Sequence, residues 1–254
     1  MMLFIGIRWQ LDFPRKCLKY TDQYSPGLDI VDPIPHKVQF NGTLGFPSPF
    51  TGKPSQEIDD AWAEHDTVIE KTRFLTVTAD ELRDMGWDPA DGVKVPEEYG
   101  GGYMAYPEVT HMLHCVNFLR MATFPEYYNI NTKASIEWDE KDPRIIRPHL
   151  DHCAEMLRQS ISCKADVTLM TYNRVKGYPK PLPDFSTRHK CRNLPSVLDW
   201  LKSRAIPAPP PEYAFPYAPD SRLFSKSPQP DVYLKMHPDA KTEYGRPVAE
   251  IVEI

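Results

Sequence analysis

His111–Arg120 reads HMLHCVNFLR and His149–Arg158 reads HLDHCAEMLR, two copies of one pattern. Both histidines, the cysteine, Leu119/Leu157 and Arg120/Arg158 are identical, and Met112/Leu150, Val116/Ala154 and Phe118/Met156 are apolar in both. The chain holds only 8 histidines and 5 cysteines in 254 residues, so three of them falling in register twice marks a duplicated His-x-x-His-Cys signature. Residues three apart are neighbours on a helix, where two imidazoles reach one ion. At about 100° per residue, His111, His114, Cys115 and Phe118 share one sector, while Met112, Val116 and Leu119 lie about 130° away. The second copy sets His149, His152, Cys153 and Met156 against Leu150, Ala154, Leu157 and Ile161. Two helices are expected, over roughly 107–123 and 148–163, each with an apolar stripe for the core and a His/Cys stripe facing elsewhere. Pro107 and Pro148 suit their first turns. Satisfied core histidines are the alternative reading, but it fits a lone histidine better than a doubled pair.

The rest of the chain is punctuated by 27 prolines, which favour ordered loops and tails. Residues up to about 55 have no sustained period and are expected to be loop. Ser55 is placed to cap a helix with acids in its first turn, and Thr78 with Glu81 forms a capping-box pattern for a second that ends near Met85. Val68–Val77 and Ala165–Tyr172 carry enough β-branched and aromatic residues for strands. Gly100–Gly102 lacks any phosphate-loop context and is expected to be a turn into Tyr103. Phe124–Arg147 reads as a polar connector that contains Trp138. Ser196–Lys202 reads as a closing helix, and the prolines from Pro207 onward as an extended arm.

Net charge is −5 with no basic run, so nucleic acid is not an expected partner. No apolar run reaches the roughly 20 residues needed to cross a bilayer, and Met1–Ile7 is a remnant of an anchor at most. Cys115 and Cys153 occupy equivalent repeat positions, and Cys163 with Cys191 makes a second candidate disulfide, leaving Cys17 odd. Asn41-Gly42-Thr43 is a glycosylation acceptor triplet, with Asn41 the candidate. Together these favour the lumen of the secretory pathway. If Cys115 and Cys153 are thiols instead, they are candidate metal ligands.

The chain resembles the UstYa-like proteins of fungal natural-product biosynthesis. The likeness begins near Phe40-Asn41-Gly42 and includes Gly52–Trp62 (GKPSQEIDDAW) and Gly101–Tyr103. It continues through both His-x-x-His-Cys repeats to Pro183–Arg192 (PDFSTRHKCR) and Trp200. The resemblance implies a catalytic domain over 36–203, preceded by an extension over 1–35 and followed by a proline-rich arm over 204–254. It also implies an oxidative tailoring enzyme, with copper the metal most often implicated. The reactions associated with such proteins are cyclisation, hydroxylation, desaturation and halogenation of a small molecule or peptide. Most members carry a full N-terminal transmembrane helix, which this chain lacks as read. Members often act in pairs, so a homo- or heterodimer with another UstYa-like protein is an expected assembly. A metal- and disulfide-stabilised accessory subunit is the competing, non-catalytic class.

The expected fold is mainly α with a few short strands (α+β), the two repeat helices packed side by side around a metal cleft. His111, His114, His149 and His152 are the expected metal ligands, nitrogen donors that suit copper, zinc or iron. A closed structural zinc site is the bland alternative, although such sites usually use cysteine. Asp151 points away from the histidines by helical spacing, whereas Glu108 lies near them and is a catalytic candidate. His189 is a second: a base behind the ligands, a further ligand, or a surface residue. Ser186 beside His189 lacks the G-x-S-x-G elbow of a hydrolase nucleophile. His36, His65 and His237 have no partner by spacing. Phe118, Met156 and the Gly100–Tyr103 turn are candidates to line the cleft. No nicotinamide or flavin fingerprint is present, so metal and dioxygen would supply the oxidising power.

Overall fold

A computed structural model of the chain describes residues 14–45, 47–71, 75–128 and 146–206. Met1–Ile7, Trp138, His237 and the prolines from Pro207 onward lie outside them. The described residues are mainly helical, with a few short strands. They fall into two compact units: residues 14–53 with 67–107 and 166–206, and 54–66 with 108–128 and 146–165.

The first unit is built on three two-stranded antiparallel ladders. These are β1 (His36–Gln39) with β6 (Arg188–Cys191), β2 (Leu75–Val77) with β3 (Tyr103–Ala105), and β4 (Thr171–Asn173) with β5 (Leu182–Asp184). Residues 14–21 are helical and Pro26–Asp29 form a 3-10 turn capped by Ser25, so the opening stretch has more structure than its prolines suggested. Helix α2 (Ala79–Asp84) starts as its sequence predicts: the Glu81 amide donates to Thr78 Oγ1 at 3.1 Å, and the Thr78 amide donates to Glu81 Oε2 at 2.8 Å. Arg204, in the last turn of α6 (Leu194–Arg204), donates to Glu81 Oε1 at 2.6 Å and holds that carboxyl below its ordinary range. Val31, Leu75, Val77, Leu82, Val95, Leu201 and Ile206 are the buried apolar residues of this unit. The three glycines before β3 have φ of 108°, 65° and 78°. A Cβ on Gly102 would lie 2.8 Å from the Val77 carbonyl oxygen, so both conformation and space require glycine there.

The second unit is helical: α3 (Glu108–Ala122), the short α4 (Pro125–Tyr128) and α5 (Ile146–Lys164), with the start of α1 (Gln56–Lys71). The Ile58 amide donates to Ser55 Oγ at 3.4 Å at the start of α1, as the cap position predicts. Two expectations fail at helix ends. Helix α1 runs through Val68 to Lys71, and among the described residues of the expected strand only Leu75–Val77 is extended. A helix nucleated by a capped, acidic first turn gains a hydrogen bond per added residue, which outweighs the small penalty of β-branched positions. Likewise α5 ends where Ala165 turns left-handed at φ 42°, and of the expected 165–172 strand only Thr171 and Tyr172 are paired, in a strand that runs on to Asn173.

Candidate metal centre

The two repeat helices pack through their histidine and cysteine faces. Cys115, Phe118 and Cys153 are buried together, with Leu119, Leu150 and Leu157 packed around them. The expected apolar stripe is therefore only partly in the core: Leu119, Leu150 and Leu157 pack on the cluster, whereas Val116 and Ala154 are exposed and Ile161 is 71% exposed. Hydropathy alone undervalues cysteine and aromatic residues as packing surface, and here they take the centre.

The contacts are crossed. His111 faces His152 across the pair, with ring centroids 5.4 Å apart, and His114 faces His149 at 5.7 Å. Exchanging one repeat for the other carries the first contact onto the second and leaves Cys115 opposite Cys153, so the duplicated motif is arranged about a local two-fold. His111 Nε2 and His152 Nε2 are 3.4 Å apart. Phe118 stacks on His149 with centroids 4.4 Å apart. Glu108 Oε2 stands 3.9 Å from His111 Nδ1, as helical spacing predicts, while Asp151 turns outward onto Arg147.

Electrostatics separates these rings. Burial, and then the neighbouring His114, His152 and His111, push His149 down to about 4, so it is neutral at physiological pH with a nitrogen lone pair free. His111 is pushed up, first by its contact with Cys115, whose Sγ lies 3.9 Å from Nε2. The Cys115 thiol is held well below its ordinary range by hydrogen bonds from Cys153 and His111, and Cys153, buried as its donor, is pushed up. All five cysteines are free; Cys163 is exposed and Cys191 partly buried.

Arg120 shows what the pattern did not. It donates through Nε to Asn117 Oδ1 at 2.9 Å, through Nη1 to Tyr128 Oη at 2.7 Å and through Nη2 to Asp59 Oδ1 at 3.3 Å, and lies over the Trp62 and Tyr128 rings. It ties α1 and α4 to the helix that carries His111 and His114. The other candidates are placed as follows. Asn41 is exposed, its Oδ1 accepting the Thr43 amide. His36 is exposed near Asp32. His189 lies in the first unit with partners of its own, Thr187 and Asp166. The Thr-x-His spacing on an extended chain is the signal in the sequence for the Thr187 contact.

The chain belongs to the family of mycotoxin biosynthesis protein UstYa, whose model matches residues 1–204. Among its relatives, the UstYa family oxidase phomYc of Diaporthe leptostromiformis is 29% identical over 75% of this chain and 72% of its own length. The UstYa family oxidase aprY of Aspergillus flavus is 28% identical over 82% of this chain and 66% of its own. A third, named transacylase cctO, from Talaromyces islandicus, is 26% identical over 75% and 63%. The chain thus spans about two thirds of the length of the latter two relatives. No solved structure matches the chain. Membership places it among the UstYa-family oxidases of secondary-metabolite biosynthesis. No helix among the described residues is long and apolar enough to cross a membrane.

Proposed function

We propose that the protein is a metal-dependent oxidative tailoring enzyme acting on a small metabolite or peptide, with copper held by His111, His114, His149 and His152. The observation that carries this is the His111–His152 pair. Two imidazole nitrogens that would share one transition-metal ion must stand close together, and the Nε2 atoms of His111 and His152 are 3.4 Å apart. Among the described residues no group of three or more His, Cys, Asp or Glu side chains is already placed to hold an ion. Binding would therefore draw His114 and His149 toward the pair by side-chain rotation. Bound copper would supply one-electron exchange between substrate and dioxygen.

The chain's own residues prepare that site. On taking an ion, His111 Nε2 would give up its proton and its contact with Cys115, and Glu108, 3.9 Å from Nδ1, favours keeping the remaining ring proton there. His149 is already neutral, so it loses no proton on taking an ion. Phe118 covers one face of His149 and keeps water from it. In an oxidising compartment Cys115 and Cys153 would join as a disulfide, closing a loop of roughly 40 residues and stabilising the fold by about 3–4 kcal/mol. Non-reducing peptide mapping reads this directly, and free alkylation of both sulfurs in the native protein contradicts it.

The functional test compares oxygen uptake with the precursor produced by neighbouring biosynthetic genes, using copper-loaded, zinc-loaded and metal-free protein. Uptake that follows copper and vanishes in His114→Ala supports the reading. Equal product formation with zinc, or without oxygen, overturns it.

A further inference from the structure

Away from the histidine cluster, three side chains of the first unit form a directed relay. Thr187 precedes β6 and His189 lies within it, so on extended chain their side chains fall on the same side. His189 Nε2 is 2.7 Å from Thr187 Oγ1, and His189 Nδ1 is 3.0 Å from Asp166 Oδ2. The Phe40 ring stacks on the imidazole with centroids 4.0 Å apart, and the His189 side chain is only 17% exposed, against 56% for Asp166. Hydrogen bonds from Thr168, with a smaller contribution from His189, hold the Asp166 carboxyl below its ordinary range. A carboxylate at Nδ1 keeps the ring proton there and leaves Nε2 to accept the Thr187 hydroxyl. The backbone around Thr187 is fixed on both sides. Its carbonyl accepts the Phe40 amide at 2.8 Å, its amide donates to Phe185 at 2.9 Å, and the Ser186 amide donates to Asp184 Oδ1 at 2.9 Å.

Hydroxyl, imidazole and carboxylate in this order are the parts of a nucleophile, its base and the group that orients the base. We propose that Thr187, His189 and Asp166 form an acyl-transfer site that takes an acyl group from an ester or thioester. Thr187 Oγ1 bonds to the acyl carbon while its proton passes to His189 Nε2. The donor's C–O or C–S bond breaks, and the alcohol or thiol leaves with that proton. Water, a hydroxyl or an amine then takes the acyl group by the reverse relay, giving up its proton to Nε2, and nothing is oxidised or reduced. Thr187 and His189 are the catalytic residues, and Asp166 is a positioning residue. The site needs no metal, so it stands or falls separately from the oxidase reading.

The test uses the full chain in EDTA with p-nitrophenyl acetate and with an acetyl thioester of N-acetylcysteamine. Release of nitrophenolate or thiol is followed, and the acetylated residue is located by peptide mass. The wild type is expected to carry acetyl on Thr187. Thr187→Val should abolish that adduct, and His189→Gln should slow acylation by about 100-fold or more. Asp166→Asn should lower kcat with KM unchanged, and Asp166→Glu should restore part of it. Thr187→Ser guards against a variant that merely misfolds: a catalytic site moves the acetyl group onto the serine, and a structural one does not. Acetyl found only on lysines, or rates unchanged in both Thr187→Val and His189→Gln, overturns the proposal.

Discussion

The two repeats carry the same arginine, yet Arg120 and Arg158 do different things. Arg120 is 15% exposed and joined to Asp59, Tyr128 and Asn117, whereas Arg158 is 62% exposed and pairs with Glu155 on its own helix. The same divergence appears two residues earlier. Phe118 is buried against His149, and its equivalent Met156 is only partly buried. Duplication thus preserves the histidines and cysteines that meet across the local two-fold, while each helix's neighbours decide what its arginine and its Phe118 or Met156 contribute. The first copy is the anchored one and the second is held mainly through the shared histidine and cysteine face.

Substitutions at matched positions sharpen this contrast. Phe118→Ala should cost about 3–4 kcal/mol, since it empties the centre of the interface. Met156→Ala should cost roughly half as much, being only partly buried; equal losses in chemical denaturation would mean the two copies are packed alike. Arg120→Ala should cost about 2–3 kcal/mol, because it leaves Asp59 and Tyr128 without their charged donor in a partly buried site. Arg158→Ala should leave the melting midpoint where it was, because exposed ion pairs contribute little.

A smaller effect follows from His149. Its folded-state value is depressed to about 4, so between that pH and about 6.5 the unfolded chain binds the extra proton. Stability of the metal-free protein should therefore fall as pH drops through this window, by on the order of 2 kcal/mol after allowing for solvent screening. His111, pushed up, acts with the opposite sign, stabilising at low pH and losing that contribution as pH rises. His149→Gln should flatten the acid limb in urea titrations at pH 4, 5 and 6. An unchanged slope would show that His149 is not the buried neutral ring.

Much of this arrangement is legible in the chain because it is local. The repeat spacing, the Thr78–Glu81 box, the Ser55 cap and the closing helix depend on residues within a turn of one another, and each is found where the sequence places it. The facing surface of the repeat helices is not legible from hydropathy, which ranks Val116 and Ile161 above cysteine and histidine, although the cysteines and histidines, with Phe118, face the partner helix. The pairing of His36–Gln39 with Arg188–Cys191 could not be read at all, since no local period reports a partner about 150 residues away. The same distance hid the stacking of Phe40 on His189. His189 looked alone because Asp166, its carboxylate, lies beyond the expected motif window.

If the two repeats build one metal centre, metal titration of the purified chain shows it. Stripped protein titrated with copper should bind tightly, with nitrogen hyperfine coupling from more than one imidazole in the electron paramagnetic resonance spectrum. His111→Ala should lose most of that affinity and so should His152→Ala, with the double variant no worse than either, because the two rings serve one ion. Full-affinity binding retained in His111→Ala/His152→Ala would contradict the account.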